Sequence, residues 1–190
     1  MSDARADSDL AELISARVRD IPDYPQPGIV FKDITPLLAD GSAFAAVVAA
    51  LAAGHGEGGE GGRGRVSKVA GIEARGFIFA GPVALSLGAG FVPVRKQGKL
   101  PAATYAATYQ LEYGTATIEV HTDAFEPGDR VLIVDDVLAT GGTAAATASL
   151  VRRAGAEVAA ITVLLELGFL DGRSRLSGLD VRSLLYLPGG

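Results

Sequence analysis

Apolar and polar positions along this chain fall into blocks that predict short strands and helices in alternation. Apolar runs rich in valine, isoleucine and leucine predict strands at 66–72, 91–95, 130–134 and 158–165. Longer apolar segments, two of them rich in alanine, predict helices at 42–51, 77–87 and 143–154. Because strands and helices alternate in this way, we expect an α/β fold whose mainly parallel, twisted sheet is flanked by helices.

Four segments depart from this alternation. Residues 1–20 have the pattern of an amphipathic helix, whereas prolines interrupt 21–36, which must therefore run as a shaped, non-helical segment. The stretch 54–64 is rich in glycine and glutamate with almost nothing to bury, which predicts a mobile surface loop. In 104–121 tyrosine and threonine alternate around Gly114, which predicts two strands that leave the sheet. With no internal repeat in the sequence, we expect one domain over the whole chain.

The composition is that of a compact protein, with 48% hydrophobic and 21% charged residues. The sequence has no cysteine, which excludes disulfides, catalytic thiolates and cysteine-bound zinc, and its two histidines are too few for a histidine-rich metal site. Any metal is therefore expected to be a hard ion held through oxygen. A net charge of -5 gives no general attraction to nucleic acid or to an anionic membrane, so neither is expected as a partner.

The N-terminal sequence does not have the form of an export signal. Residues 1–20 include four aspartates, one glutamate and three arginines, and they lack an uninterrupted apolar core. The most apolar stretches, 43–53 and 161–165, are shorter than the roughly 20 residues that span a bilayer. We therefore expect the protein to stay in solution in the cytoplasm.

The segment 130–143 contains the residues on which the prediction of a ligand depends. It combines a buried strand, two adjacent acids, a glycine turn and the start of a helix. The acids, threonines and glycines of this segment are Asp135, Asp136, Thr140, Gly141, Gly142 and Thr143. The carboxyl ends of strands border the ligand crevice in open α/β sheets, so both acids are expected to emerge beside a bound small molecule. The glycines allow close approach of the backbone, and free N–H groups at the helix start suit a phosphate.

Two carboxylates beside a phosphate-binding turn would repel an anion unless they faced other groups. Vicinal ribose hydroxyls or a magnesium ion are the natural candidates, so the ligand is expected to be a sugar phosphate. The simpler alternative is a structural turn beside two solvated acids, but this explains neither the paired acids nor the threonines. The segment lacks the glycine pattern of dinucleotide binding, and no lysine follows the glycines as in a Walker loop.

This segment resembles the signature of the type I phosphoribosyltransferases over its full length, from the acid pair to the Ala-Thr-Gly-Gly-Thr loop. The resemblance implies the fold of that family, with a hood segment, a mobile hairpin lid and a mainly parallel sheet. It also implies that Asp135, Asp136 and the loop hold the ribose and its 5'-phosphate. The loop consists of Ala139, Thr140, Gly141, Gly142 and Thr143.

The segment 21–36 resembles the N-terminal part of the adenine phosphoribosyltransferases closely and in register. The resemblance implies a purine-binding hood within residues 1–40, in which the Phe31 ring faces the base. The backbone of Val30 and Lys32 would supply a donor and an acceptor for the adenine edge, and Leu167 would cover the opposite face. Taken alone, Phe31 could instead fill the core, with the prolines shaping a loop.

Two further segments resemble the family's pyrophosphate-binding parts. The residues concerned are Glu73, Ala74 and Arg75 after the first long strand, and Arg95, Lys96 and Lys99 after the second. The resemblance implies that the backbone amides and the cations neutralise the leaving pyrophosphate, with Arg75 also catalytic. Taken alone, Glu73 and Arg75 could form a surface ion pair, and the three cations could belong to a solvated loop.

The segment 109–114 resembles the family's mobile catalytic loop, which implies a flexible lid over residues 96–121. In that family the glutamate, here Glu112, faces the base, and the tyrosine, here Tyr113, helps to close the site. A lid that excludes water protects a reactive sugar from hydrolysis. By its sequence alone, Glu112 would more often be an exposed strand residue, so its assignment depends on the resemblance.

The resemblance as a whole covers about residues 14–167 and implies an enzyme of purine salvage. It implies transfer of the phosphoribosyl group from phosphoribosyl pyrophosphate to adenine, giving AMP and pyrophosphate. Mg²⁺ is the implied cofactor, held mainly by the substrate with no protein ligand assigned, and a homodimer is the implied assembly. Two alternatives remain open: an enzyme acting on hypoxanthine, guanine, xanthine or orotate, and a regulatory protein that senses phosphoribosyl pyrophosphate while controlling RNA or DNA.

Overall fold

A computed structural model describes residues 2–56, 64–110 and 114–189, with side chains from residue 8 onward. The helices are α1 (Ser2–Ser15), α2 (Thr35–Ala39), α3 (Gly41–Ala52), α4 (Gly76–Leu87) and α5 (Gly142–Arg153). The strands are β1 (Arg19–Ile21), β2 (Phe31–Asp33), β3 (Lys68–Ile72), β4 (Gly90–Lys96), β5 (Thr104–Gln110), β6 (Thr115–His121), β7 (Arg130–Leu138), β8 (Glu157–Leu167) and β9 (Val181–Leu187). Two short 3-10 turns, Gly168–Leu170 and Gly172–Leu176, connect β8 to β9. Most of the predicted loop 54–64, together with Glu112 and Tyr113 of the predicted lid, lies outside these ranges.

The main sheet has seven strands in the order β5-β6-β4-β3-β7-β8-β9. Five neighbouring strands run parallel, in the order β4-β3-β7-β8-β9, while β6 pairs antiparallel with both β4 and β5. The α/β fold with a mainly parallel sheet is therefore confirmed. Parallel strands need covered faces, which accounts for the nearly unbroken apolar sequence of β7 and β8.

Apolar side chains form one cluster on each face of this sheet. Helices α1 to α4 supply most helical residues of one cluster, including the fully buried Ile14, Leu37 and Phe79. The other cluster is built mainly from α5 and from residues of β3, β4, β6, β7 and β8, with Leu150 of α5 and Phe125 among its members. The helices thus lie on opposite faces of the sheet, as its apolar sequence requires.

Single residues set the ends of the helices that flank the sheet. Asp40 begins α3, because its side chain accepts hydrogen bonds from the N–H groups of Ser42 and Ala43. Gly88 ends α4 in the left-handed conformation, at a φ of 59°. In the ranges that the structure describes, no helix has both the length and the apolar character needed to cross a membrane.

The segment 21–36 runs without a helix as far as Ile34 and contains β2, which pairs antiparallel with β1 at the start of the segment. Two cross-strand ion pairs hold these strands together: Arg19 with Asp33 at 2.6 Å, and Lys32 with Asp20 at 2.7 Å. The shape of the intervening loop is fixed in part by a hydrogen bond from the N–H of Gly28 to the Asp23 carboxylate. The predicted shaped segment is thus a short hairpin beside the main sheet.

Several elements differ from the sequence-based expectation. The predicted helix 1–20 ends at Ser15, because β1 begins at Arg19 and pairs with β2. The strand β9 was not predicted, because its residues are evenly half-buried along its length and give no clear periodicity. The five-residue helix α2 begins at Thr35, within the stretch expected to be non-helical. The β5–β6 hairpin does not leave the sheet completely, since Arg95 and Lys96 of β4 pair with Glu119 and Ile118 of β6.

Candidate active site

Adjacent polar loops lie at the carboxyl ends of β3 and β7, the two central neighbours in the sheet. The chain leaves β3 through residues 73–75 into α4 on one face, and leaves β7 through residues 139–141 into α5 on the other. Helices that depart to opposite faces open a crevice between the loops, and open α/β sheets bind ligands at such points. The sequence-predicted acids, glycine loop and first pyrophosphate loop therefore meet at one place.

Asp135 and Asp136 lie inside β7, because the strand continues four residues beyond the predicted end to Leu138. The Asp135 carboxyl group is held by the backbone of its neighbour, since the N–H of Asp136 donates to Asp135 Oδ1 at 2.9 Å. Burial raises the pKa of Asp135 well above its ordinary value, and the charge of Asp136 adds to the shift. Burial also raises the pKa of Asp136, although the Arg75 charge opposes it.

Arg75 partly neutralises this acid pair. Its Nε lies 2.6 Å from Asp136 Oδ2, a close charge contact that lacks the alignment of a hydrogen bond. The same guanidinium lies over the ring of Phe31, 4.9 Å from its centroid. Arg75 therefore connects the acid pair to the β1–β2 hairpin, and the surface ion pair with Glu73 that the sequence allowed is not formed.

Glu73 instead pairs with the basic strand end of β4. Arg95 lies 3.3 Å from Glu73, and the N–H of Lys96 donates to the same carboxylate at 2.9 Å. Burial raises the pKa of Glu73, but the hydrogen bonds from Lys96 and Arg95 outweigh it, so the pKa lies below its ordinary value. Arg95 also donates to the carbonyl of Lys99 at 3.0 Å. The connected group thus consists of Glu73, Arg95, Lys96 and Lys99.

A cavity of about 410 Å³ lies between these loops, large enough for a small molecule. Of the predicted site residues, it is lined by Glu73, Ala74, Arg75, Lys96, Asp135, Asp136, Ala139 and Thr143. Tyr109 of β5 lines it as well. The resemblance placed this tyrosine in the lid segment 109–114 but assigned it no role. Arg95 and Lys99 are not among the cavity's lining residues, and Arg95 is joined to the lining through its contact with Glu73.

The glycine loop forms a second, smaller cleft of about 70 Å³ directly beside this cavity. Gly141 has a φ of 77°, which favours glycine, and α5 begins at the next residue. The β5–β6 hairpin covers the loop, since a Cβ added to Gly142 would lie 3.0 Å from the Tyr109 ring. The first N–H groups of a helix have no partner within the helix, so this small cleft can hold a phosphate.

A third cavity, of about 310 Å³, lies between the β1–β2 hairpin and the end of β8. It is lined by Val30, Lys32 and Leu167, as the resemblance implied, and also by Gly28, Ile29, Phe169 and Leu170. The last two were missed, although they follow Leu167 in an apolar run that could have drawn attention to them. Phe31 lies between Val30 and Lys32 in the sequence, and its ring contacts Arg75 of the first cavity. The two cavities are therefore neighbours.

The atoms around the first cavity that could bind a metal ion are carboxylate and hydroxyl oxygens. Within residues 2–56, 64–110 and 114–189, no three His, Cys, Asp or Glu side chains form a metal-binding group. Mg²⁺ commonly uses one or two carboxylates, with substrate phosphates and water completing its shell. Asp135 and Asp136 fit that pattern, in which a substrate supplies most of the ligands.

A ligand that uses this whole site must offer hydroxyl groups to the two acids and phosphates to the loops on either side. A sugar that carries phosphates at both ends meets these requirements, and the enzymes that transfer such a sugar are the phosphoribosyltransferases. The sequence model of the phosphoribosyl transferase domain matches residues 37–178.

Individual relatives narrow the class further. The chain is 63% identical to adenine phosphoribosyltransferase of Acidothermus cellulolyticus over 94% of this chain and 97% of the relative. It is 62% identical to the Streptomyces coelicolor protein of the same name, over 88% of each chain. The crystal structure of the Rhodothermus marinus adenine phosphoribosyltransferase superposes with a TM-score of 0.86 at 51% identity, covering 95% of this chain and 99% of the other.

The yeast enzyme, from Saccharomyces cerevisiae, was solved with adenine and an imino-altritol bisphosphate. It superposes with a TM-score of 0.87 at 38% identity, over 94% of this chain and 99% of the yeast chain. The chain belongs to the adenine phosphoribosyltransferase family.

Proposed function

We propose that this protein is an enzyme of purine salvage that transfers the phosphoribosyl group of phosphoribosyl pyrophosphate to adenine. The observation that carries the proposal is the acid pair of β7, which lies between a glycine loop suited to phosphate and a basic pocket suited to pyrophosphate. The apolar cavity beside Arg75 and Phe31 then supplies the place for a purine. All three substrate parts, ribose, phosphates and base, have a matching subsite.

The sugar phosphate would be held from both sides. Asp135 and Asp136 accept hydrogen bonds from the ribose hydroxyls, and residues 139–143 bind the 5'-phosphate. Arg75 and Lys96 face the pyrophosphate, and Arg95 and Lys99 add to the positive charge nearby. Because Arg75 already offsets part of the negative charge of the acid pair, an anionic substrate meets less repulsion when it enters. Mg²⁺, held mainly by substrate oxygens, would supply further positive charge at the leaving group.

The reaction needs one bond made and one broken. Adenine N9 bonds to the anomeric carbon, the bond from that carbon to pyrophosphate breaks with its electron pair on the departing oxygen, and the purine gives up one proton. The protein contributes placement of the two reactants and compensation of charge. The hood within residues 1–40 and the lid within 96–121 would enclose the reactants, in a chain that works as one domain.

The test is an assay of the purified protein with phosphoribosyl pyrophosphate, Mg²⁺ and one base at a time. Adenine should be converted to AMP, while hypoxanthine, guanine, xanthine and orotate should react at least about 100-fold more slowly, because a site built for one hydrogen-bonding edge leaves its polar groups unpaired with another. Turnover of a different base would contradict the choice of acceptor. Binding of the sugar phosphate without turnover of any base would favour a regulatory sensor instead.

The Phe31→Ala variant is expected to raise KM for adenine by about 10- to 100-fold. A base stacked on an aromatic ring gains roughly 1–3 kcal/mol, and alanine removes that surface. The KM for phosphoribosyl pyrophosphate should change far less, because the sugar phosphate binds on the other side of Arg75. Steady-state kinetics with each substrate varied in turn measure both values, and an equal rise in both would contradict a role specific to the base.

Glu112 is proposed to manage the proton of the purine, either at N7 or by orienting the base. The Glu112→Gln variant should lower kcat by about 100-fold or more, because an amide cannot take up a proton. Glu126→Gln, a change of the same kind at an exposed turn residue, serves as the control and should leave kcat unchanged. Turnover of Glu112→Gln near that of the unchanged protein would remove Glu112 from the mechanism.

We also propose a homodimer in which the segment 77–99 lies near the partner. Large apolar side chains on this segment are exposed, with Leu85 at 82% and Ile78 and Phe91 at 41% each. Sedimentation equilibrium would give the mass in solution directly. A cytoplasmic location stays a prediction of the sequence.

A further inference from the structure

The segment between β8 and β9 touches two substrate subsites at once. Leu167 at its start, with Phe169 and Leu170 of the first 3-10 turn, lines the apolar cavity proposed for the purine. Gly172, which begins the second turn, lies directly behind the glycine loop proposed for the 5'-phosphate. Residues 168–176 therefore form a shared wall, and this name is kept below.

The contact between the shared wall and the glycine loop is backbone against backbone. A Cβ added to Gly172 would overlap the carbonyl oxygen of Ala139 and lie 2.9 Å from the nitrogen of Gly141. In the reverse direction, a Cβ added to Gly141 would overlap the carbonyl oxygen of Gly172. With no side chain between them to absorb a movement, a shift of the shared wall is passed directly to the glycine loop.

One side chain fastens the shared wall to the sheet. Arg173 donates from Nε to Glu166 Oε1 at 2.9 Å and from Nη2 to Glu166 Oε2 at 2.5 Å. Its Nη1 donates to the carbonyl oxygen of Val181 at 2.7 Å, so the guanidinium joins the wall to both β8 and β9. Such a two-pronged contact fixes orientation as well as distance.

The acid that receives these bonds is itself held in place. Glu166 is 4% exposed, and Ser183 Oγ of β9 donates to its Oε2 at 2.7 Å. The hydrogen bond from Arg173 keeps the pKa of Glu166 below its ordinary value, with Ser183 acting in the same direction despite partial burial. Glu166 is therefore ionised at neutral pH, and the residue after it, Leu167, lines the purine cavity.

We propose that Arg173, through Glu166, is a positioning residue that sets the purine subsite and the 5'-phosphate subsite in register. The proposal rests on the proposed function and adds a residue to it that touches neither substrate. A common support is useful here because the anomeric carbon must meet the base at a fixed distance, and that distance depends on how the two subsites are placed relative to each other.

The Arg173→Gln variant should raise KM for adenine and for phosphoribosyl pyrophosphate by about tenfold each, and it should also lower kcat by about tenfold. A loosened wall weakens binding at both subsites, and it no longer holds the base and the anomeric carbon at the distance that the reaction needs. Arg130→Gln is the matched control, because Arg130 pairs with Glu157 at 3.0 Å at the opposite end of the same strand β8. Both KM values should be unchanged in this control.

Gly172→Ala provides a test that leaves the ion pair intact. The added methyl group pushes on Ala139 and Gly141, so KM for phosphoribosyl pyrophosphate should rise by about tenfold or more, and more than KM for adenine. Arg173→Lys keeps the charge but cannot bind Glu166 through two prongs and reach Val181, so it should show a smaller rise in both KM values than Arg173→Gln. If Arg173→Gln does not fold, the KM values of Gly172→Ala and Arg173→Lys test the proposal in its place.

Several results would overturn the proposal. They are unchanged KM values in Arg173→Gln, a rise for only one substrate, or an equal rise in Arg130→Gln, which would indicate general loosening of the sheet. If the unchanged protein makes no AMP, the proposed function fails separately. Calorimetric titration with adenine and with phosphoribosyl pyrophosphate then measures the same pair of affinities in each variant, and weaker binding of both in Arg173→Gln would still support the coupling.

Discussion

Replacing Asp135 with asparagine is expected to make the ligand-free protein more stable and the enzyme at least about 100-fold slower. Burial and the neighbouring Asp136 raise the pKa of Asp135 in the folded protein, which means that its charged form is destabilising there. Asparagine has the same shape without the charge, and its Oδ1 can still accept from the N–H of Asp136. It cannot supply the negative charge proposed for the ribose hydroxyls, and losing one such preorganised group commonly costs about 100-fold in rate.

The raised pKa of Asp135 determines how the gain in stability depends on pH. In the unfolded chain Asp135 titrates near 3.8, and in the folded protein it titrates higher, so the folded state binds the proton more tightly. Stability of the unchanged protein therefore falls as pH rises from about 3.8 through the raised pKa. The Asp135→Asn variant lacks this loss, so its advantage in Tm should be absent at acidic pH and should grow as the pH rises through the raised pKa of Asp135.

Thermal unfolding from about pH 4 to about pH 8 measures the effect, and each kcal/mol gained should raise Tm by about 2–4 °C for a chain of this size. Asp123→Asn at an exposed turn is the control and should show no advantage that grows with pH. A Tm difference between Asp135→Asn and the unchanged protein that does not vary with pH would contradict the assignment of the buried charge.

The Gly141→Ala variant is expected to lose both stability and turnover. Gly141 has a φ of 77°, and its added Cβ would overlap the carbonyl oxygen of Gly172. The conformation alone costs about 1–2 kcal/mol for alanine, and the overlap adds about 1–3 kcal/mol. Because the glycine loop must move to relieve it, kcat/KM for phosphoribosyl pyrophosphate should fall by about 100-fold.

Gly128→Ala separates the two causes. Gly128 also has a positive φ, 94°, but a Cβ there meets nothing within 4 Å. It should therefore lose only the conformational part, about 1–2 kcal/mol of unfolding free energy in urea titrations, and keep full activity. Equal stability losses in the two variants would show that the contact with Gly172 has no energetic consequence.

Much of the fold could be predicted because its strands are buried on both faces. Continuous apolar runs such as 130–134 and 158–165 have few alternatives to a covered parallel sheet, and the predicted strands correspond to β3, β4, β7 and β8. The edge strand β9 could not be predicted in this way. Its residues are half-buried on both sides, so neither alternation nor a continuous apolar run marks it.

The residues of the candidate site were named from the sequence because they occur in short local motifs. Asp135 and Asp136 directly precede a glycine loop and a helix, and local order of this kind fixes which groups lie at a strand end. For Val30, Lys32 and Leu167 it was the resemblance to the family that implied a shared place, and these residues line one cavity. Their roles in binding stay predictions, as does that of Glu112, which lies outside the described residues.

What the sequence by itself determined is most of the elements and the chemical groups at the ends of the strands, because both are local properties of the chain. Only the tertiary structure decided the partners. Arg75 could have paired with nearby Glu73, yet it contacts Asp136 and Phe31, which are distant in sequence. Gly172 reaches Gly141, and Arg173 reaches Val181, for the same reason. Contacts of this kind depend on strand order and crossover, which no local pattern encodes.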